Sequence, residues 1–417
     1  MVTWFSAGKY LMGTGRQTQI GNIDLVKQLN SAAVYRLIDQ EGPISRIQIA
    51  EISQLAPASV TKITRQLIER GLIKEVEQQA STGGRRAISI VTENHGFHTI
   101  AVRLGRQDAT LALFDLGGEL LAEQHYPVPY SEQDAVEAAL FSAIDSFMQQ
   151  QHRVLKEIIA IAVILPGLVD PERGVVRFMP HIGKTHWPLV KNLTARFNIA
   201  SFVGHDIRSL ALAEHYFGAT RDCADSLLVR IHRGTGAGII VNGNIFLGSN
   251  GNVGEIGHIQ VDPLGERCYC GNFGCLETIA SNNAITEKAQ KLIAEGYPGT
   301  LHPSATGIAD ICRAACEGDT MARALITDVG IHLGKALAMA INLFNPQKVV
   351  LAGEITAAEE ILFPVIRSCI DNQALNDFRQ NLPVVRSQLD NRSAIGAFAL
   401  AKRAMLNGIL LQHLLEE

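Results

Sequence analysis

The chain has 417 residues, 47% hydrophobic and 19% charged, enough for two or three packed domains of ordinary globular composition. The apolar stretch 158–169 is interrupted by Pro166 and Gly167 and is too short to span a bilayer, so no membrane insertion is expected. The net charge of -4 hides an asymmetry: residues 22–86 hold nine Lys or Arg against seven Asp or Glu, and residues 87–417 hold 26 against 34, which points to an anionic partner for the head alone.

Residues 1–11, MVTWFSAGKYL, lack the apolar run and small-residue cleavage site of a secretory signal. They are expected to open a disordered leader, 1–20, with Met12 as an alternative start to Met1. Seven cysteines in a chain without an export signal argue for reduced thiols or metal ligands and for a cytoplasmic setting.

From Asp24, the spacing of Leu25, Leu29, Ala33 and Leu37 predicts a helix that Gly42 and Pro43 stop. Ser45 is placed to cap a short second helix, and Pro57 opens a third. That third helix buries Val60, Ile63 and Leu67 and turns Ser59, Thr61, Lys62 and Arg65 outward. Strands 72–76 and 87–91 flank a polar tip bearing Arg85 and Arg86. This is the pattern of a winged helix-turn-helix domain, over 21–92, whose third helix enters the major groove of double-stranded operator DNA while the two arginines follow phosphates or the minor groove. The alternative is a small helical bundle that these basic residues merely solvate.

Beyond the head, strands at 99–104, 110–115 and 120–124 are followed by a helix, 135–150, and a buried strand, 158–164. A similar order returns with strands 226–231, 236–241 and 245–247, then helices, then strand 348–352. Two such copies imply paired α/β lobes with a cleft between them, the first from 93–203 and 386–417, the second from 204–385. Residues 393–415 read as one long apolar helix that packs on the first lobe or on a neighbouring subunit.

The sharpest local signal is His258 with Cys268, Cys270 and Cys275, inside GHIQVDPLGERCYCGNFGC. Three thiolates and one imidazole within eighteen residues complete a tetrahedral zinc set with no place for water, which makes the metal structural. Glu255 and Glu277 flank this loop and are placed to meet sugar hydroxyls, although two surface glutamates would look the same. The turn with Gly234 and Gly236 could cradle a phosphate on backbone N–H groups, or be no more than a tight hairpin.

The strings GNVGEIGH, CYCGNFGCLE, LPG, HDIRSLALAE, RGTGAG and LAGE resemble the ROK family of repressors, open-reading-frame proteins and sugar kinases, over residues 21–417. The resemblance implies a two-lobed ribonuclease-H-like, actin-like body of the sugar-kinase type. QLNSAAVYRLIDQ, LAPASVTKITRQLIERGLIKEV and ASTGGRRAISI are most similar to the amino-sugar repressors of the family, which implies N-acetylglucosamine 6-phosphate as inducer.

The same resemblance matches Asp206 to the kinase base, here vestigial beside His205. It matches Glu255, His258 and Glu277 to the sugar ligands, with Gly167 in a loop that approaches the sugar. Where kinases of the family carry an acidic residue and a glycine pair for magnesium ATP, this chain reads Arg103, Leu104, Gly105, Arg106. Phosphoryl transfer is therefore not expected, and Arg103 and Arg106 become candidates for a ligand's 6-phosphate.

The expectation is a non-enzymatic, homodimeric or homotetrameric repressor of amino-sugar uptake and catabolism genes, released from its operator by the sugar phosphate. The alternatives are a hexose or N-acetylhexosamine kinase with a DNA-binding head, and a repressor controlled by sequestration on a sugar transporter.

Overall fold

The computed structural model describes residues 23–77, 88–151, 157–180, 182–249, 251–302, 306–392 and 394–416. The expected leader and the wing tip with Arg85 and Arg86 lie outside them. The chain divides into two compact units, Met1–Asp206 with Ala397–Glu417, and Ile207–Gly396.

The first unit begins with α1 (Ile23–Glu41), β1 (Ile44–Ser45), α2 (Arg46–Ser53), α3 (Pro57–Glu69), β2 (Ile73–Glu77) and β3 (Ile88–Thr92). Ser45 caps α2 in a reciprocal capping box with Gln48, which satisfies two N–H groups that the helix itself leaves open. α3 starts on Pro57, where the missing N–H costs nothing. β3 lies between β1 and β2, and β2 and β3 pair antiparallel from Ile73↔Thr92 to Glu77↔Ile88. Val34, Tyr35, Ile38, Ile49, Val60, Leu67 and Ile90 form the small core beneath. The expected winged helix-turn-helix is present.

There follow β4 (His98–Leu104), β5 (Asp108–Asp115), β6 (Leu120–Pro127), α4 (Gln133–Gln150), β7 (Ile158–Leu165), β8 (Leu168–Asp170), β9 (Val175–Met179), β10 (Gly183–Trp187), α5 (Leu189–Phe197) and β11 (Ala200–His205). The main sheet runs β11-β7-β4-β5-β6. Every residue of β7, IIAIAVIL, is buried, as expected of a parallel strand covered on both faces. β6 stands at the edge and is largely exposed.

The second unit takes in α6 (Asp206–Phe217) from its second residue, then β12 (Ser226–Ile231), β13 (Thr235–Val241), β14 (Asn244–Ile245), α7 (Glu277–Ala280), α8 (Asn282–Ala294), α9 (Ile308–Cys316), α10 (Thr320–Phe344), β15 (Lys348–Ala352), α11 (Glu359–Gln373), α12 (Asn376–Arg379) and β16 (Val384–Arg386). Its sheet order, β14-β13-β12-β15-β16, repeats that of the first unit. In each, the opening strand lies at the centre, antiparallel to the second and parallel to the strand that follows the helices. α10 is long and apolar enough to cross a membrane by length and composition, but its Leu325, Ile326, Val329, Leu333, Leu337 and Ile341 are buried in the core of this unit.

The single C-terminal helix expected over 393–415 is instead two, α13 (Ile395–Leu406) and α14 (Ile409–Glu416). Gly408 breaks it with a φ of +82°. A Cβ there would approach the Ala32 side chain to 3.0 Å and the Gln28 carbonyl to 3.2 Å, so the turn and its close approach to α1 both favour glycine.

Candidate functional site

On the head, Ser59, Thr61, Lys62 and Arg65 are exposed on α3, opposite buried Val60, Ile63 and Leu67. Arg46, overlooked in the sequence, braces this surface from behind. Its Nε donates to Thr64 Oγ1 at 3.0 Å, and its guanidinium pairs with Glu75 Oε1 at 2.7 Å, joining α2 to α3 and to the wing strand β2.

In the second unit the four predicted metal ligands converge. Their ligand atoms, one from each of His258, Cys268, Cys270 and Cys275, lie within 4.8 Å of one another and could hold a metal ion. The distance from Cys268 Sγ to His258 Nδ1 is 3.6 Å, and from Cys270 Sγ to Cys275 Sγ 3.7 Å. A zinc tetrahedron with Zn–S of about 2.3 Å and Zn–N of about 2.0–2.1 Å has S–N and S–S edges of about 3.6 and 3.8 Å, so the residues fit the ion.

Burial pushes the Cys275 thiol up to about 12, and a cation is what would hold it as thiolate. The loop is folded by its own backbone: Cys268 N–H donates to Asn272 O, Gly274 N–H to Glu266 O, and Val261 N–H to Gly274 O. Gly274 has a φ of +63°, and a Cβ there would lie 1.5 Å from Asp262 O, so no other residue fits.

His258 turns its Nε2 to the Tyr269 hydroxyl at 3.0 Å. Sequence reasoning missed Tyr269, although it stands between two ligands. Burial, then the charges of Glu277 and Glu255, raise its pKa, which places both carboxylates in its surroundings. Glu277 Oε2 accepts the Thr235 N–H at 3.0 Å. A Cβ on Gly234 would meet that oxygen at 2.8 Å, and one on Gly257 at 3.1 Å. The glycines thus make room for the carboxylate.

Gly236 faces Ile207 and Gly238 faces Ala211, each too close for a side chain, so this turn also serves the packing of β13 on α6. The Thr235 amide, a candidate phosphate donor, is committed to Glu277. Arg208, buried on α6, donates to Gly251 O at 2.8 Å and Val253 O at 3.2 Å and so holds the strand of loop that carries Glu255. That role gave no signal in the sequence, because a lone arginine on a helix reads as surface.

In the first unit, His205 Nδ1 and Asp206 Oδ1 are 3.3 Å apart at the start of α6. Gly167 has a φ of +123°, and a Cβ there would lie 2.1 Å from Phe178 O, which fits the tight β8–β9 pairing. Arg103 Nη1 donates to Asp108 Oδ2 at 3.1 Å, a partner the sequence reading did not foresee, while Arg106 is half-buried in the same turn. The candidates Arg103 and Arg106 belong to one unit, and Gly234 and Gly236 to the other.

The LAGE string of the second unit, which ends in Gly353 and Glu354, is held by the chain itself. The Gly353 N–H donates to Asp390 Oδ2 at 2.7 Å, Asp390 Oδ1 pairs with Arg230 at 2.9 Å, and Glu354 stands 3.9 Å from His232.

Residues 28–81 match the MarR family and residues 99–404 the ROK family. The N-acetylglucosamine repressor of Escherichia coli O6:H1 is 69% identical over 405 residues, covering 97% of this chain and all of that protein. A solved structure of a ROK family transcriptional regulator, a homolog of the E. coli MLC protein, superposes with a TM-score of 0.88 at 43% identity over 94% of this chain and 100% of that one. A ROK family glucokinase from Streptomyces griseus, solved with glucose and AMPPNP, gives a TM-score of 0.63 at 25% identity over 73% of this chain and 99% of that one. A winged helix-turn-helix head joined to a body of the sugar-kinase type is matched over 97% of this chain by the first of these relatives, and the ROK match spans most of its length: the chain belongs to the ROK family.

Proposed function

We propose that this chain is a sugar-responsive transcriptional repressor that works in the cytoplasm, binds operator DNA through paired heads as a homodimer or homotetramer, and is released by N-acetylglucosamine 6-phosphate. The match of head and body together to a relative named as the N-acetylglucosamine repressor carries this reading. α3 offers hydroxyls and two cations to the major groove and backbone phosphates. Glu255, Glu277 and His258, with Gly167, His205 and Asp206, are the proposed sugar contacts, and Tyr269 joins them as the hydroxyl on the free nitrogen of His258.

Zinc is the proposed metal at His258, Cys268, Cys270 and Cys275, where it would supply a fixed tetrahedral staple and no open coordination position. With Nδ1 bound, His258 Nε2 keeps its proton, so the ring stays a donor towards Tyr269 or a ligand hydroxyl. The ligand's phosphate is assigned to Arg103 and Arg106, with Gly234 and Gly236 as the second candidate, and engaging it requires Arg103 to exchange Asp108 for the phosphate.

Binding of an operator selected from random DNA, measured with and without N-acetylglucosamine 6-phosphate and compared with glucose 6-phosphate, tests the reading. Release by the amino sugar phosphate alone is expected. No release by any sugar phosphate overturns it and favours a protein inducer such as a transporter subunit. The kinase reading draws on the retention of Asp206 and the glycine turn. Turnover of magnesium ATP with a hexose or N-acetylhexosamine in a coupled assay would establish it, whereas Arg103 in place of the acidic residue argues for none.

A further inference from the structure

Three parts of the first unit meet at one buried cation. Lys402, on α13 and 5% exposed, places its Nζ 2.5 Å from Asp39 Oδ1 on α1 of the head and donates to Leu116 O at 3.1 Å, in the turn between β5 and β6. Leu116 is held from its other side by the chain that leaves the head, its N–H donating to Asn94 O at 3.0 Å. Beside the pair, Arg36 Nη2 donates to Leu406 O at 2.8 Å, and Gly408 lets α14 turn back onto α1. Tyr35 is fully buried on the next turn of α1.

An exposed pair such as Lys27–Asp24 fixes nothing, because water competes for both charges. The Asp39–Lys402 pair is sheltered, and separating it would leave a buried charge unpartnered. It therefore has one geometry, and it joins the helix supporting α3 to the sheet and to the C-terminal hairpin. Nothing in this arrangement touches the exposed face of α3, so it can set where the recognition helix stands without altering what it reads.

We propose that Lys402 and Asp39 are positioning residues for operator recognition: they lock each head to its body and thereby fix the half-site spacing that a pair of heads accepts. This rests on the reading of the chain as a repressor with paired heads. The test compares wild type with Lys402→Met, Asp39→Asn and the double variant, which strands no charge. Each binds duplexes carrying one half-site, two at the selected spacing, and two with the spacing changed by a few base pairs.

The double variant is expected to keep wild-type affinity for one half-site, to lose about tenfold on the selected operator, and to bind altered spacings nearly as well. A wild-type spacing profile in the double variant overturns the proposal. So does a parallel loss on the single half-site, which would mean that the pair only maintains the fold of the head. Wild type that shows no preference for two half-sites over one refutes the paired-head reading itself, and the positioning role with it.

Discussion

If the cysteine cluster holds the proposed zinc, removing the ion should loosen the second unit without unfolding the head. The ligands close a loop of eighteen residues from His258 to Cys275. The chain-entropy cost of leaving such a loop open is about 3 kcal/mol. Several backbone hydrogen bonds already hold the loop, so loss of the cross-link frees it and does not dissolve it. At roughly 2–4 °C per kcal/mol for a body of this size, the second unit should melt about 6–12 °C lower in Cys275→Ser or after chelation.

The sign with pH follows from the thiols. Burial of Cys275 raises its pKa to about 12, so metal binding at neutral pH releases its proton, and metal affinity weakens as pH falls. Calorimetry with and without chelator, beside elemental analysis of freshly purified protein, measures both effects. Unchanged melting in Cys275→Ser, or protein that carries no metal and has the same stability, would refute the assignment of the cluster as a staple.

Other substitutions test the remaining parts. Asp108→Asn removes the partner of Arg103 and should tighten sugar phosphate binding, whereas replacing Arg103 and Arg106 together by Gln should weaken it at least tenfold, both read by titration calorimetry. Lys62→Ala and Arg65→Ala should each lower operator affinity and, where the lost contact is to phosphate, reduce the salt slope of binding by about one. Glu214 is fully buried and accepts hydrogen bonds from Ser387 Oγ and the N–H groups of Ala219, Gln388 and Leu389. Glu214→Gln turns one acceptor into a donor facing donors, and should lower stability by about 2–4 kcal/mol in denaturant titration.

Periodicity alone located β12 and β15, because their apolar runs are bounded by turn residues, and it placed Pro57 and Ser45 at the helix starts they occupy. It merged α13 with α14, because Gly408 breaks the helix for a reason visible only when α1 lies against it. It passed over β8, which has three residues, and β9 and β10, whose sequences VVRFM and GKTHW lack the unbroken apolar run that marks β15. Among the candidate site residues, the cysteine cluster was legible because its donors are close in sequence. Tyr269, Arg208 and Asp108 were not: each acts through a partner chosen by folding, and Asp108 opens β5 directly after a turn, where an acidic residue needs no explanation.

The first unit is discontinuous, and that matters for how the protein is made. Its sheet receives Phe398, which stacks on Phe114 with ring centroids 5.0 Å apart, and its head receives Lys402 and α14 from the same late segment. A nascent chain emerging from the ribosome therefore completes the inserted second unit before residues 397–416 can close the first. A polypeptide interrupted short of that segment keeps the core of the head but lacks Lys402 opposite Asp39 and the packing of Gly408 against α1. The contacts that seat the head on the sheet therefore form only after the whole of the inserted unit has been synthesised.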